Sequence, residues 1–490
     1  MSSLFVNFAF IFLASLSGFY PETESPKKPA DSTLAGRYRT AAEQIVAAAM
    51  AKNEAYDRLE HLCLAIGHRL SGSPSLERAI DWALETMKID GQEDVRREKV
   101  MVPHWVRGKE SASMLKPRLE PLVILGLGGS VGTPPEGITA EVVVVANEEE
   151  LDAAAENVKG KIVLFNNPMP PYDPEKGSGY GETVRFRSKG PKLVAEKGGM
   201  ACLVRSVTAK SLRTPHTGAT RYADDIPQIP AAAITTEDAE TIARLTKRGV
   251  PVVVNLKMDA QTLPDAESAN AVAELRGREE PEEIVVIGGH IDSWDVGHGA
   301  HDDGGGCIMA IEAIHVLRKL NLIPRRTIRV VLWTNEENGL RGGRTYAQDH
   351  ADELMNHVAA IESDSGVFAP RGFSLDCADE SRRDLAIEQM NEILSLLPSA
   401  IGPLNAEPGG GGADISPMKD AGVMLMGHRV EGSTYFDYHH TPADTIDKVD
   451  PAALSQNVAV MAFVAYVLAD MEERIGEKAP APAEPDRATR

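Results

Sequence analysis

The sequence predicts an α/β protein: a mixed, largely parallel sheet covered by helices on both faces, together with a second, smaller α/β module in its first half. Beyond Ala269, apolar strand-like runs alternate with helical ones (EEIVVIGGHID, GCIMAIEAIHVLRKL, TIRVVLWTNEE, then HVAAIESD), the pattern of βαβ units. Between Pro117 and Asp259 the texture changes to short β-like runs such as AEVVVVA, KIVLFN and VPVVVNLKM, separated by Gly and Pro clusters. At 490 residues the chain also exceeds what one hydrophobic core usually organises.

Taken in order, residues 1–19 read as a signal peptide. An apolar run from Leu4 to Leu16 is followed by small residues and the polar PETESPKKP, although the usual preceding basic residue is missing. A secreted or periplasmic location follows; the alternative is a buried N-terminal helix. Residues 20–36 are expected to be a linker or propeptide. Near Arg37 a helical pattern begins, and Ser73-Pro74 supplies a cap and a first-turn proline for a further helix. The start of the chain is expected to be helical, and residues 37–116 are expected to form, with residues 263–475, the main domain. Residues 117–262 make the smaller module, with helices near 148–157 and 236–247. Later helices are expected near 342–354, 381–397 and 454–474, with VMLMGH as a strand. Residues 476–490, rich in Pro, Ala and Glu, should form a disordered tail.

With 72 acidic against 51 basic side chains the formal charge is -21, which argues against nucleic acid and anionic membrane surfaces as partners. After the N-terminal segment no stretch approaches the length of unbroken apolar sequence a membrane span needs. Cys63, Cys202, Cys307 and Cys377 lie far apart without CxxC spacing, so neither a thiolate zinc site nor a disulfide framework is indicated.

The chemistry concentrates where ligands bind in open α/β sheets, beyond the carboxyl ends of the strands. The first apolar run ends in His290-Ile291-Asp292 and leads through a Gly-rich loop to Asp302-Asp303. The next ends in Glu336-Glu337, a third in Glu362-Ser363-Asp364, and a later loop carries His439-His440. Imidazoles and carboxylates without thiolate suit zinc or a similar divalent ion. So many acids in one place would repel one another and take up protons around a single ion, whereas a carboxylate shared by two metals removes the conflict. Singly, each residue has a plainer reading: a hydrogen-bonded histidine, or Asp302-Asp303 as a helix cap. Glu336-Glu337 has less of one, because a carboxylate at a buried sheet end needs a cation. The Gly304-Gly305-Gly306 run matches no phosphate-binding pattern.

The segments GGHIDSWDVGHGAHDDGGG, WTNEENGLRGG, ESDSG and YHHTPADT resemble the metal-binding blocks of the M28-type zinc peptidase family, and IGHRLSGSPSLERAIDW and VPHWVRG resemble its plasma glutamate carboxypeptidase (carboxypeptidase Q) branch. The resemblance spans residues 40–470. It implies a zinc exopeptidase fold, with the smaller module as an inserted protease-associated domain, and two Zn²⁺ per chain. His290 and Asp364 would ligate the first, Glu337 and His440 the second, and Asp302 would bridge them. Glu336 would be the general base, Asp292 would orient His290, and a small peptide with free ends would be the substrate. His440 is preferred to His439 as ligand because it directly precedes Thr441, with Asp444 four residues on. His439 is then a candidate oxyanion donor or a structural histidine, and Gly411, Gly412 and Asp414 are candidate substrate-binding residues or a flexible turn. His298 and His301 crowd the Gly-rich loop, where they either compete for metal or line the entrance. The branch also implies a homodimer. Rival readings are an inactive receptor or scaffold of peptidase fold, a single-zinc acyltransferase, and a metal-dependent hydrolase of non-peptide amides or esters.

Overall fold

The computed structural model describes residues 33–51 and 54–478; the expected signal peptide, most of the linker and most of the tail lie outside them. Sixteen strands follow in chain order: β1 (Glu93–Val106), β2 (Glu110–Lys116), β3 (Glu120–Leu122), β4 (Ile124–Gly126), β5 (Ile138–Val145), β6 (Ile162–Phe165), β7 (Ala201–Arg205) and β8 (Ala231–Ile234), then β9 (Val253–Met258), β10 (Gln261–Leu275), β11 (Glu280–His290), β12 (Arg326–Trp333), β13 (His357–Glu362), β14 (Pro370–Asp376), β15 (Asn405–Pro408) and β16 (Met424–Val430). They form two eight-stranded sheets, ordered β1-β10-β12-β11-β13-β16-β14-β15 and β3-β2-β9-β5-β6-β7-β8-β4.

The first sheet is parallel at its centre, where β12, β11, β13 and β16 pair side by side, and mixed towards its edges. Its central strands carry apolar runs, such as residues 284–287 of β11 and 330–333 of β12, because helices cover both faces. On one face Val285, Ile287, Val330 and Ile361 pack with the helices Leu34–Met50, Pro74–Ile89, Gly305–Lys319 and Pro451–Asp470. On the other, Val286, Val331, Trp333 and Leu425 meet Tyr346, Ile415 and Met418. Pro451–Asp470 is long and apolar enough to cross a bilayer, but 78% of its most apolar window is buried inside the fold, as a core helix would be. Ser73 caps Pro74–Ile89 through Leu76 N–H, 3.2 Å away.

The second sheet lies, in sequence, between β1 and β10, which pair antiparallel at the edge of the first; Val106 faces Gln261 where the chain leaves and returns. Joined ends let a whole unit be carried there without disturbing the host sheet. Its two faces bury separate clusters, one around Leu164, Leu203 and Leu256, the other around Phe165, Phe186 and Val204.

The helices expected at the start are present, and two strands follow them before residue 117. β1 is a 14-residue strand, and β2 already belongs to the second sheet. In β1 only Val100, Val102 and Trp105 are buried, and the strand's first half is mostly charged, so it lacks the buried apolar run that marked the others. A further helix at Arg185–Glu196, unread in the sequence because Gly190-Pro191 interrupts it, packs on β7. All four cysteines are buried free thiols.

Candidate metal centre

Parallel register brings three strand ends to one level: His290 of β11 faces Trp333 of β12, and Gly288 faces Glu362 of β13. The chain beyond each end therefore delivers His290, Glu336-Glu337 and Asp364 to the same rim. Two glycines let the Asp302 loop reach it. A Cβ on Gly289 would stand 2.2 Å from the Asp303 carboxylate, and one on Gly306 would stand 2.1 Å from Ser363 O. Close approach, not phosphate binding, is the use of this glycine run.

Asp302 is the hub. One carboxylate oxygen, Oδ1, lies 3.3 Å from His290 Nε2, which is also 3.3 Å from Asp364 Oδ1. The other, Oδ2, lies 3.3 Å from His440 Nε2, which is 2.9 Å from Glu337 Oε2. Asp302 Oδ2 is buried without a hydrogen-bond partner. Behind the hub, Asp444 accepts from the backbone N–H groups of His301 and Asp302 at 2.8 and 3.1 Å, and Asp303 accepts from those of His290 and Gly306, both at 3.0 Å.

The expectation for Asp292 changes in detail. His290 Nδ1 donates to the carbonyl of Asp292 at 3.1 Å, while the nearer carboxylate oxygen is 3.7 Å away. That carboxylate instead accepts from the N–H groups of Glu336 at 3.0 Å and Glu337 at 3.4 Å, fixing the turn that presents both glutamates. His439 stacks on His440 with ring centroids 3.5 Å apart and sits 3.8 Å from Asp302 Oδ2; only His440 also meets Glu337. His298 and His301 stay out of the cluster. His301 Nδ1 accepts from Val367 N–H while its ring stacks on Phe368 and Tyr438, and His298 Nδ1 faces Ile446 N–H at 3.5 Å.

A cavity of about 930 Å³ opens over Asp302, Glu336, Glu337, Asp364, His439 and His440. Gly411 and Gly412 line a separate hollow of about 130 Å³ beside Asp364. Asp414 lines neither: it is buried, and its Oδ1 accepts from Gly343 N–H at 3.2 Å. The loop's glycines answer packing beneath it, since a Cβ on Gly411 would stand 2.4 Å from that of Leu425, while one on Gly410 meets nothing within 4 Å. Gly411→Ala is accordingly expected to cost about 1–3 kcal/mol by overpacking, and Gly410→Ala less than about 0.5 kcal/mol, as thermal unfolding of the two variants will read.

Burial and mutual repulsion disfavour several charged carboxylates here, an arrangement that suits a bound cation. Burial pushes the carboxyls of Asp303, Glu337 and Asp414 well above the usual range, and burial with the nearby Asp364 charge lifts Glu362 to about 8. Burial works against a charged His290, but Asp364 and Asp302 outweigh it and raise the imidazole. Glu336, lifted to about 8 by burial and the Asp364, Asp292 and Asp302 charges, is the carboxyl on the cavity wall. These shifts belong to the metal-free protein and set its pH dependence. A carboxyl with a raised folded pKa stabilises at low pH and loses that contribution as pH rises through the folded value. Buried histidines such as His428 and His357, lowered to about 4 mainly by burial, act oppositely but only below the usual histidine value of 6.5. Between pH 6.5 and about 8 the raised carboxyls and the raised His290 imidazole act in the same direction, so the chelated protein should lose about 1.4 kcal/mol of stability per pH unit for each such group still protonated. Zn²⁺ should remove most of this slope, which thermal unfolding at pH 6.5 and 8 with and without the ion will measure.

Among known families, the description "Peptidase family M28" matches residues 270–465. Carboxypeptidase Q of Homo sapiens is 44% identical over 428 residues, 87% of this chain and 87% of that protein. The crystal structure of a peptidase M28 precursor from Shewanella amazonensis SB2B superposes with a TM-score of 0.85 at 38% identity, covering 92% of this chain and 100% of that one. A zinc aminopeptidase from Bacillus subtilis shares the fold, with a TM-score of 0.61 at 21% identity over 86% of this chain and 96% of its own.

Proposed function

Because the chain belongs to peptidase family M28 and is a metallo-exopeptidase, we propose that it hydrolyses dipeptides or small peptides at a centre of two Zn²⁺ ions, which His290, Asp302, Glu337, Asp364 and His440 would hold. The observation that carries the reading is the two-sided Asp302 carboxylate, with His290 and Asp364 on one oxygen, His440 on the other, and Oδ2 buried without a hydrogen bond. Glu337, 2.9 Å from His440, completes the second group. The donor set is nitrogen and oxygen only, which suits zinc, the metal named for the B. subtilis relative of the same fold. Bound there, the ions supply Lewis acidity, polarising the scissile carbonyl and making water in the site more acidic.

The remaining chemistry falls to the chain's own side chains. Glu336, on the cavity wall and not among the ligands, takes the proton of the attacking water on its carboxylate as the C–O bond forms. It returns that proton to the leaving amine nitrogen as the C–N bond breaks. Asp292 holds the Glu336 backbone in place, so the base keeps its distance from the carbonyl. His439, on the same wall, donates its ring N–H to the oxygen that gains negative charge. The second sheet is the protease-associated domain in this reading, and its Tyr180, Arg187 and Arg221 close one side of the cavity. Export through residues 1–19 and assembly as a homodimer belong to the same reading and rest on the sequence alone.

Purified protein should contain about two zinc ions per chain and hydrolyse dipeptides with free ends; a chelator should stop the reaction and added Zn²⁺ restore it. Hydrolysis that survives chelation, or turnover of N-acyl amides and esters without dipeptides, would reject the proposal.

A further inference from the structure

His440 owes its placement to residues outside the peptidase sheet. Thr217, in the loop between β7 and β8, meets it twice. Its N–H donates to His440 O at 3.0 Å, and its carbonyl stands 3.2 Å from His440 Nδ1. Arg187, from the helix Arg185–Glu196, brings Nη1 to 3.2 Å from both Thr217 O and His440 Nδ1. The clasp is tied back in turn, since Thr217 Oγ1 donates to Gly126 O at 2.7 Å. Arg107 Nη1 donates to the same carbonyl, while Arg107 Nε reaches Asp295 of the peptidase loop at 2.8 Å. Gly128 lies so close to Trp294 that a Cβ would stand 2.0 Å from the indole, whose ring meets His440 edge-on at 5.7 Å. His440 itself has φ +61°, a left-handed backbone that a histidine keeps only where its surroundings impose it.

A metal-ligating imidazole needs one nitrogen bare and the other held as N–H by an acceptor. For Nε2 to be bare toward Asp302 and Glu337, the Nδ1 proton must go to the Thr217 carbonyl, because Arg187 Nη1, equally near Nδ1, can only donate. We infer that the second sheet completes the metal centre: Thr217 is a positioning residue that fixes the His440 ring through its carbonyl, and Arg187 is the positioning residue that holds this carbonyl. The inference deepens the two-zinc reading and rests on it. It gives the inserted unit a part in metal retention on one side of Asp302, that of His440 and Glu337, and none on the side of His290 and Asp364.

The test is competition for zinc between a chelating dye and full-length parent, Arg187→Ala, Arg187→Lys and Thr217→Val, with kcat and KM measured on one dipeptide. Thr217→Val keeps the carbonyl but loses the Oγ1 bond to Gly126, and it decides the matter if Arg187→Ala does not fold. One of the two zinc ions should bind about 10–100-fold more weakly in Arg187→Ala and several-fold more weakly in Thr217→Val. The other should stay parental, Arg187→Lys should recover part of the loss, and at saturating zinc kcat should fall more than KM rises. A parent with two zinc ions whose variants hold both as tightly, with only KM raised, would overturn the inference and make Arg187 a substrate contact. A parent holding a single zinc would overturn the two-zinc reading and this assignment with it.

Discussion

Glu336→Gln should lower kcat by about 10²–10⁴-fold while zinc content and KM stay near parental values, measured by elemental analysis and dipeptide kinetics on the same preparation. The amide keeps the size of the side chain and its place on the cavity wall but cannot accept the proton of water. The backbone of residue 336 is held independently by Asp292, so the substitution leaves the turn and the neighbouring Glu337 undisturbed. A variant that loses metal along with activity would make Glu336 a ligand, and one that keeps more than a tenth of parental kcat would remove it as the base.

Asp302→Ala should be more severe, taking activity down to that of the chelated protein and zinc content from about two per chain to below one. Its two oxygens face different histidines, so one substitution removes a ligand from both sides of the centre. It also leaves Glu337 and Asp364 without the shared charge balance that a bridging carboxylate provides. Asp364→Ala, which touches only the His290 side, should spare the second zinc. Equal zinc loss from the two variants would mean that Asp302 does not bridge.

Much of this centre is legible in the sequence because the fold turns linear signals into one place. Apolar runs fix β11, β12 and β13, parallel pairing aligns their ends, and the residues after them fall together by topology. What is not legible depends on tertiary contact. Thr217 and Arg187 stand more than 200 positions before His440, in a unit whose own pattern carries no catalytic signal. Asp303 and Asp444 are visible as acids near the motifs, but their roles as acceptors for the loop backbone appear only when the loop is folded. Asp414 is a further case: a glycine-rich segment ending in Asp reads as a binding loop or a turn, and only the folded chain shows the acid turned inward to Gly343. The edge strand β1 carries a charged run at residues 96–99 in its first half and shows no regular alternation, so its character comes from pairing with β10 more than from composition.

Anomalous diffraction at the zinc edge, from crystals of the full chain grown with Zn²⁺, tests the central claim most directly. Two peaks about 3.5–4 Å apart are predicted, one between His290 and Asp364 and one between Glu337 and His440, with Asp302 touching both. A single peak, or none among these five residues, would contradict it.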